Sequence, residues 1–281
     1  EASGLWRLKP EERAPLRAHT FGTGQLIRDA AARGAKKILV GLGGSATTDG
    51  GAGMAAALGF SLITSDCDEL GPYPGDLIAL VRIENTNAID LPEIVAACDV
   101  QNPLLGERGT ARVFAPQKGA DEKTVVHLEA SLTQLAEIVA ESLGCDFRDA
   151  PGAGAAGGIG FGLMSFCRAK MCSGFDLVAA TIGLEEKIAA ADIVITGEGR
   201  LDAQTLEGKG PAGVAALARK HGKPIIAFGG GIEPAVEKLF DAIVPIIDSP
   251  LPLDEAMRRG AELLRRAARR AGRLISIRSQ P

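Results

Sequence analysis

Along the last third of the chain, short apolar runs alternate with segments of helical spacing. Residues 192–196, 224–228 and 242–247 are unbroken or nearly unbroken apolar stretches, and they predict strands buried on both faces. Residues 211–221, 233–240 and 253–273 carry apolar positions three and four apart and predict helices, with Pro211 in a first turn that tolerates it. Such strands alternating with helices predict parallel pairing under a layer of helices on each face. The first two strands run into Gly197-Glu198-Gly199 and Gly229-Gly230-Gly231, predicted as loops at the strands' carboxyl ends, where open α/β sheets bind ligands. In the last helix Met257, Leu263, Leu264 and Ala268 predict the buried stripe. Arg258, Arg259, Arg265, Arg266, Arg269, Arg270 and Arg273 read as a solvated face, its cations favoured near the helix C-terminus.

Towards the N-terminus the pattern is less regular. Residues 23–32, 124–143 and 159–169 predict helices, and 37–40, 94–100 and 111–114 predict strands; 62–92 are loop-rich and yield no definite element. A chain of 281 residues leads us to expect two domains, an irregular glycine-rich one over 1–183 and a regular α/β one over 184–281.

Composition adds one strong signal. There are 36 glycines, where ordinary usage near 7% would give about 20. They gather after apolar runs, most densely in Gly41-Leu42-Gly43-Gly44-Ser45-Ala46-Thr47-Thr48-Asp49-Gly50-Gly51-Ala52-Gly53, which follows a predicted strand and precedes a helical segment at 54–58. A strand, a glycine-rich turn and a helix together aim main-chain N–H groups at an anion. Ser45, Thr47 and Thr48 add hydroxyls, and Asp49 a carboxylate.

Other features narrow the chemistry. The net charge of −4 argues against nucleic acid as a partner, and no apolar run reaches the roughly 18 residues of a membrane span. Five scattered cysteines without a C-x-x-C pair read as reduced thiols in a cytoplasmic protein, and three histidines at no ligand spacing disfavour zinc. The N-terminus resembles no targeting peptide, and without an initiating Met the chain is expected to be processed or cut from something longer.

Three further segments are candidates: Ala97-Cys98-Asp99-Val100-Gln101-Asn102-Pro103-Leu104, Pro116-Gln117-Lys118-Gly119-Ala120, and Pro151-Gly152-Ala153-Gly154-Ala155-Ala156-Gly157-Gly158. The last matches G-x-G-x-x-G with Asp176 downstream, but residues 145–149 before it are not an apolar strand, which a dinucleotide fingerprint requires. There is no G-x-x-x-x-G-K-[ST] and no setting for a hydrolytic triad. Anion cradles, scattered acids and a few cations suit phosphoryl transfer, which rests on positioning and charge neutralisation.

With these residues in view, the chain resembles the class I glycerate kinases, a bacterial family that phosphorylates D-glycerate with ATP. The resemblance runs through Gly22-Thr23-Gly24-Gln25-Leu26, the 43–53 loop, 97–104, 116–120, 151–158, Ser173-Gly174, and Thr196-Gly197-Glu198-Gly199-Arg200-Leu201-Asp202-Ala203-Gln204-Thr205 with Gly208-Lys209. It implies two α/β domains with a cleft between them: a flavodoxin-like parallel-sheet domain, incomplete here, and a second α/β domain inserted into it. It also implies 2-phosphoglycerate, rather than the 3-isomer, as product. Relative to the family a strand, a Lys-containing loop and an acidic glycine-rich loop upstream are missing, which predicts an unpaired sheet edge, association (a homodimer among the outcomes), and doubt over turnover by this chain alone.

The roles that follow are expectations. Asp202 is the candidate base, with a helix N-cap as its alternative reading. Arg200, Lys209 and Lys118 are candidate cations for phosphate or carboxylate. Gly43, Gly44, Ser45, Thr47, Gly154, Gly157, Gly197 and Glu198 are candidates for holding ATP. Asp49 and Asp99 are candidates for Mg²⁺. A remnant that binds glycerate or nucleotide without turnover, and an NAD(P)-dependent oxidoreductase built on the Gly152 segment, are the competing readings.

Overall fold

The computed structural model describes residues 2–207 and 210–278. The chain divides into two compact units, Glu1–Gly174 and Phe175–Pro281. The first contains α1 (Phe21–Ala32), β1 (Lys37–Gly41), α2 (Ala52–Ala57), β2 (Ser61–Ile63), β3 (Arg82–Glu84), β4 (Glu93–Ala97), α3 (Thr110–Phe114), α4 (Glu122–Leu143), α5 (Ala155–Cys167) and β5 (Lys170–Cys172). Its main sheet is parallel, in the order β1-β4-β5, with Ile38 opposite Ile94 and Ala96 opposite Met171.

The core of this unit gathers α2, α4 and α5 with β4. In α4, Leu128, Leu132, Leu135, Ala136 and Val139 recur at helical spacing and are wholly buried. The Asp121 side chain caps its N-terminus by accepting from the Thr124 N–H at 2.8 Å, and Gly144 ends it in the left-handed conformation. Residues 62–92 do carry structure: β2 and β3 pair antiparallel, and a 3₁₀ segment, Pro74–Ala79, buries Leu77. The predicted strand at 111–114 is instead the helix α3. Ala111 and Ala115, one turn apart, are both fully buried, a helical spacing that the short apolar run concealed.

The second unit contains α6 (Gly174–Thr181), α7 (Leu184–Ala190), β6 (Val194–Leu201), α8 (Gly210–Lys220), β7 (Ile225–Ile232), β8 (Ala242–Pro245), α9 (Leu253–Arg258) and α10 (Gly260–Arg278). Its sheet is also parallel, in the order β6-β7-β8. Along β7 the pleat divides the side chains. Ile225 and Ala227 join Ile188, Ala215 and Ala218 of α7 and α8, whereas Ile226 and Phe228 meet Ala267 and Ala271 of α10. Helices therefore cover both faces, as the apolar strand pattern predicts.

Three expectations fail here. The segments Gly197-Glu198-Gly199 and Gly229-Gly230-Gly231 are not loops: β6 and β7 run on through them, Glu198 opposite Gly229 and Arg200 opposite Gly231. The last helix is interrupted at Arg259, so α9 and α10 are separate. The stripe of α10 is Leu263, Ala267 and Ala271, while Met257 and Leu264 are exposed. Residues 233–240 form a 3₁₀ segment, Pro234–Leu239, instead of an α-helix. Among the described residues no helix is long and apolar enough to cross a membrane.

Candidate active site

The loop after β1 is fastened by its own acid. Asp49 is fully buried, and its Oδ2 accepts from the Thr20 N–H and hydroxyl, both at 2.7 Å, and from the Gly53 N–H at 3.1 Å. Its Oδ1 accepts from the Gly51 N–H at 3.3 Å, and the Thr20 hydroxyl oxygen in turn accepts from the Met54 N–H at 2.9 Å. Burial raises the Asp49 carboxyl above its ordinary pKa, while the four donors pull it back. These bonds tie the start of α1 to the start of α2, and the two helices pack backbone to backbone: a Cβ on Gly24 would lie 2.5 Å from the Met54 carbonyl oxygen.

With its base fixed, the loop presents open main chain at its tip. Gly43 and Gly44 are exposed, and the N–H groups of Gly43, Gly44 and Thr47 donate to no protein acceptor among the described residues. Residues 3–5 lie along the loop, with the Ala46 N–H donating to the Ser3 carbonyl at 2.7 Å and the Leu5 N–H to the Gly44 carbonyl at 2.8 Å. A cavity of about 300 Å³ opens beside it, lined by Ser3, Thr23, Gly43, Ser45 and Thr47 against Ile38 and Ile159. The Thr47 hydroxyl is buried and has no hydrogen-bond partner among the described residues. A buried, unpartnered hydroxyl is costly unless a ligand or water completes it.

Lys118 lies beneath this loop. Its side chain is buried, and Nζ donates to the Thr47 carbonyl at 2.6 Å and to the Ser45 hydroxyl at 3.2 Å. Burial lowers its pKa to about 8, with the Asp49 carboxylate acting in the opposite direction. The sequence places this lysine in a turn after a strand; it sits in a 3₁₀ turn after α3. The lysine and the loop nevertheless come together, with the ammonium bonded to the loop itself.

Gly154 and Gly157 are not part of an open cradle. Both are buried, and the Gly154 N–H is taken by the Asn102 carbonyl at 2.9 Å. A Cβ on Gly157, where φ is +83°, would lie 1.8 Å from the Thr47 carbonyl oxygen, and the Gly157 carbonyl accepts from the Gly50 N–H at 3.1 Å. Here glycine permits close packing of one loop on another.

In the second unit, the ends of β6 and β7 collect the remaining candidates. Arg200 is exposed and pairs with Glu233 at 2.7 Å and with Asp202 at 3.2 Å, Glu233 contributing most to raising the guanidinium pKa. The Asp202 N–H donates to the Thr205 hydroxyl oxygen at 3.1 Å, and that hydroxyl donates to Glu198 Oε2 at 3.2 Å. Glu198 thereby steadies the turn that carries Asp202. Gly197 lies within β6, where a Cβ would meet the Phe228 carbonyl oxygen at 2.8 Å. Lys209 lies outside the described residues.

The two acids expected to hold Mg²⁺ differ in availability. Asp49 does not fit that role, because four protein donors and complete burial leave it no face for an ion. Asp99 is exposed at the end of β4, its Oδ1 accepting from the Gly174 N–H at 2.8 Å. Among the described residues no group of three acidic, His or Cys side chains forms a metal site. Sequence reasoning missed Thr20, whose one detectable signal is its place immediately before α1 and Gly22-Thr23-Gly24.

Bare loop amides above a buried lysine, in a protein built on parallel α/β sheets, are the equipment of a small-molecule phosphotransferase. The sequence profile of the glycerate kinase family matches residues 1–276. The chain is 45% identical to the "Glycerate kinase" of Halalkalibacterium halodurans, covering 96% of this chain and 73% of that protein. It is 43% identical to the "Glycerate 2-kinase" of Escherichia coli, over 98% of this chain and 74% of that one. A crystal structure from Salmonella typhimurium LT2, assigned to glycerate kinase 2, superposes with a TM-score of 0.86 at 39% identity, covering all of this chain and 75% of its own. This chain belongs to the glycerate kinase family, and membership makes it an ATP-dependent kinase.

Proposed function

We propose that this protein transfers the γ-phosphoryl group of ATP to D-glycerate and releases 2-phosphoglycerate and ADP. The observation that carries the reading is the buried Lys118 ammonium beneath the open Gly43–Thr47 main chain, in a chain 43% identical to a glycerate 2-kinase. In the reaction a glycerate hydroxyl oxygen forms the new P–O bond as the bond to the ADP oxygen breaks, and the hydroxyl proton passes to a carboxylate. Asp202 takes that proton. Arg200 and Lys209 offset phosphate or carboxylate charge. Gly43, Gly44, Ser45 and Thr47 hold an anionic group over Lys118, which keeps the loop in shape and lends it charge. Mg²⁺, when bound, would offset the charge of the triphosphate, and the exposed Asp99 carboxylate would be the residue to hold it.

Five free cysteines support a reducing, cytoplasmic setting. The exposed Ile195 on β6, at the edge of its sheet, supports a homodimer, which light scattering would test. No observation favours the oxidoreductase reading, since α5 follows no strand and its glycines are packed shut.

The test is a coupled assay with ATP and D-glycerate in which enolase, without phosphoglycerate mutase, consumes the product. Signal with enolase alone supports the 2-isomer. Signal that requires the mutase rejects the 2-isomer and keeps the kinase, while ADP release in neither case supports a binding remnant.

A further inference from the structure

We infer that the adenosine half of the nucleotide binds in the second unit, between the ends of β6 and β7 and the helix α9. The inference rests on the kinase reading above, which requires a nucleotide site but leaves the base unplaced. A cavity of about 670 Å³ lies there, bounded on the sheet side by Gly199, Arg200, Gly230 and Ile232 and on the helix side by Leu253 and Met257. It opens at the carboxyl ends of parallel strands, the ligand position of open α/β sheets, and its size falls within the range of small-molecule sites.

The apolar wall is what selects the base. Met257 and Leu253 are 75% and 72% exposed, more than any other large apolar side chain described. They lie one turn apart on α9 and both line the cavity, while Ala256 packs that helix inward at 7% exposure. An apolar pair held out of the core, facing a cavity further lined by Ile246 and Ile247, suits a flat aromatic ring. Glycerate, with a carboxylate and two hydroxyls on three carbons, has no surface to offer such a wall.

The opposite wall supplies charge complementarity. Arg200 is a cation on the cavity rim, held by Glu233 and Asp202 at the surface and therefore able to turn to a phosphate at small cost. Glu233 also lines the cavity, and its carboxylate can accept from ribose hydroxyls. Neighbouring strand ends free of bulky side chains at Gly199, Gly230 and Gly231 let a ribose or phosphate approach main chain.

Photolabelling of the full chain with 8-azido-ATP, followed by tryptic mapping, tests this placement. The account predicts label in the peptide 239–258, abolished by excess ATP and unaffected by D-glycerate. ATP-protected label in the peptide 38–82, or in any other peptide that holds no residue lining the cavity, overturns the placement while leaving the kinase reading intact. Absence of ATP-protected label anywhere overturns both. Met257→Glu, at a site too exposed to threaten the fold, should weaken ATP binding at least about tenfold and leave the melting temperature and the KM for D-glycerate unchanged; unaltered ATP affinity overturns the placement.

Discussion

Residues 152–162 and the ends of β6 and β7 are comparably rich in glycine, yet the surroundings of those glycines differ. In the first unit a Cβ on Gly157, Gly160 or Gly162 would fall 1.8, 2.0 or 2.6 Å from a main-chain oxygen. In the second, a Cβ on Gly197 or Gly230 would also fall 2.8 or 2.6 Å from a main-chain oxygen, but one on Gly199 would meet nothing within 4 Å, and one on Gly231 only the Arg200 side chain. One set of glycines lets main chain pack on main chain and shapes the loop above Lys118. In the other, Gly199 and Gly231 leave the strand ends bare beside a cavity. Glycine density therefore marks two physical roles, which only the neighbouring atoms distinguish.

Substitutions sharpen that contrast, starting with the largest effect. Gly157→Ala should prevent the first unit from folding, at a cost above about 4 kcal/mol, because it combines a main-chain clash with a positive φ. A melting temperature within about 2 °C of the parent would contradict the packing role. Asp49→Ala should cost about 3 kcal/mol in denaturant unfolding, since it leaves the Thr20, Gly51 and Gly53 donors buried and unpaired. Survival of full stability would mean that the loop does not depend on this brace.

Lys118 gives a prediction in pH. Its pKa is lowered to about 8 in the fold from an ordinary 10.5, so above pH 8 the unfolded chain holds a proton that the folded chain has released. Its burial penalty is full below pH 8 and relieved as pH rises towards 10.5. Unfolding midpoints of the parent relative to Lys118→Met should therefore rise between those values, while anion binding by the parent weakens as the charge is lost. A flat difference would show that Lys118 is not desolvated. The smallest effect belongs to Gly199→Ala, expected within about 0.5 kcal/mol of the parent because the site is open.

Much of this architecture is legible in the residues. Periodicity finds α1, α4 and α8, and the unbroken apolar runs at 192–196 and 224–228 predict the parallel pairing of β6 with β7. The rest is hidden for identifiable reasons. Glycine disfavours strands on its own account, so 197–199 and 229–231 look like turns, whereas the neighbouring strand overrides that preference. The break at Arg259 shifts the stripe of α10 and leaves Met257 outside it, a mismatch that falls beside the cavity where we place the base. Asp49 has the chemistry of a metal ligand, and only the position of Thr20, remote in sequence, reveals that the fold uses it internally. Lys118 is found by its turn, but its partners Ser45 and Thr47 lie more than seventy residues away.

The central claim is that the open amides of the 43–47 segment, backed by Lys118, hold an anionic group of the reactants. Following the backbone amide resonances of Gly43, Gly44 and Thr47 during titration with ATP and with D-glycerate tests it directly. The account predicts saturable shifts at all three, weakened in Lys118→Met. Resonances that stay in place while the same sample phosphorylates D-glycerate would contradict it.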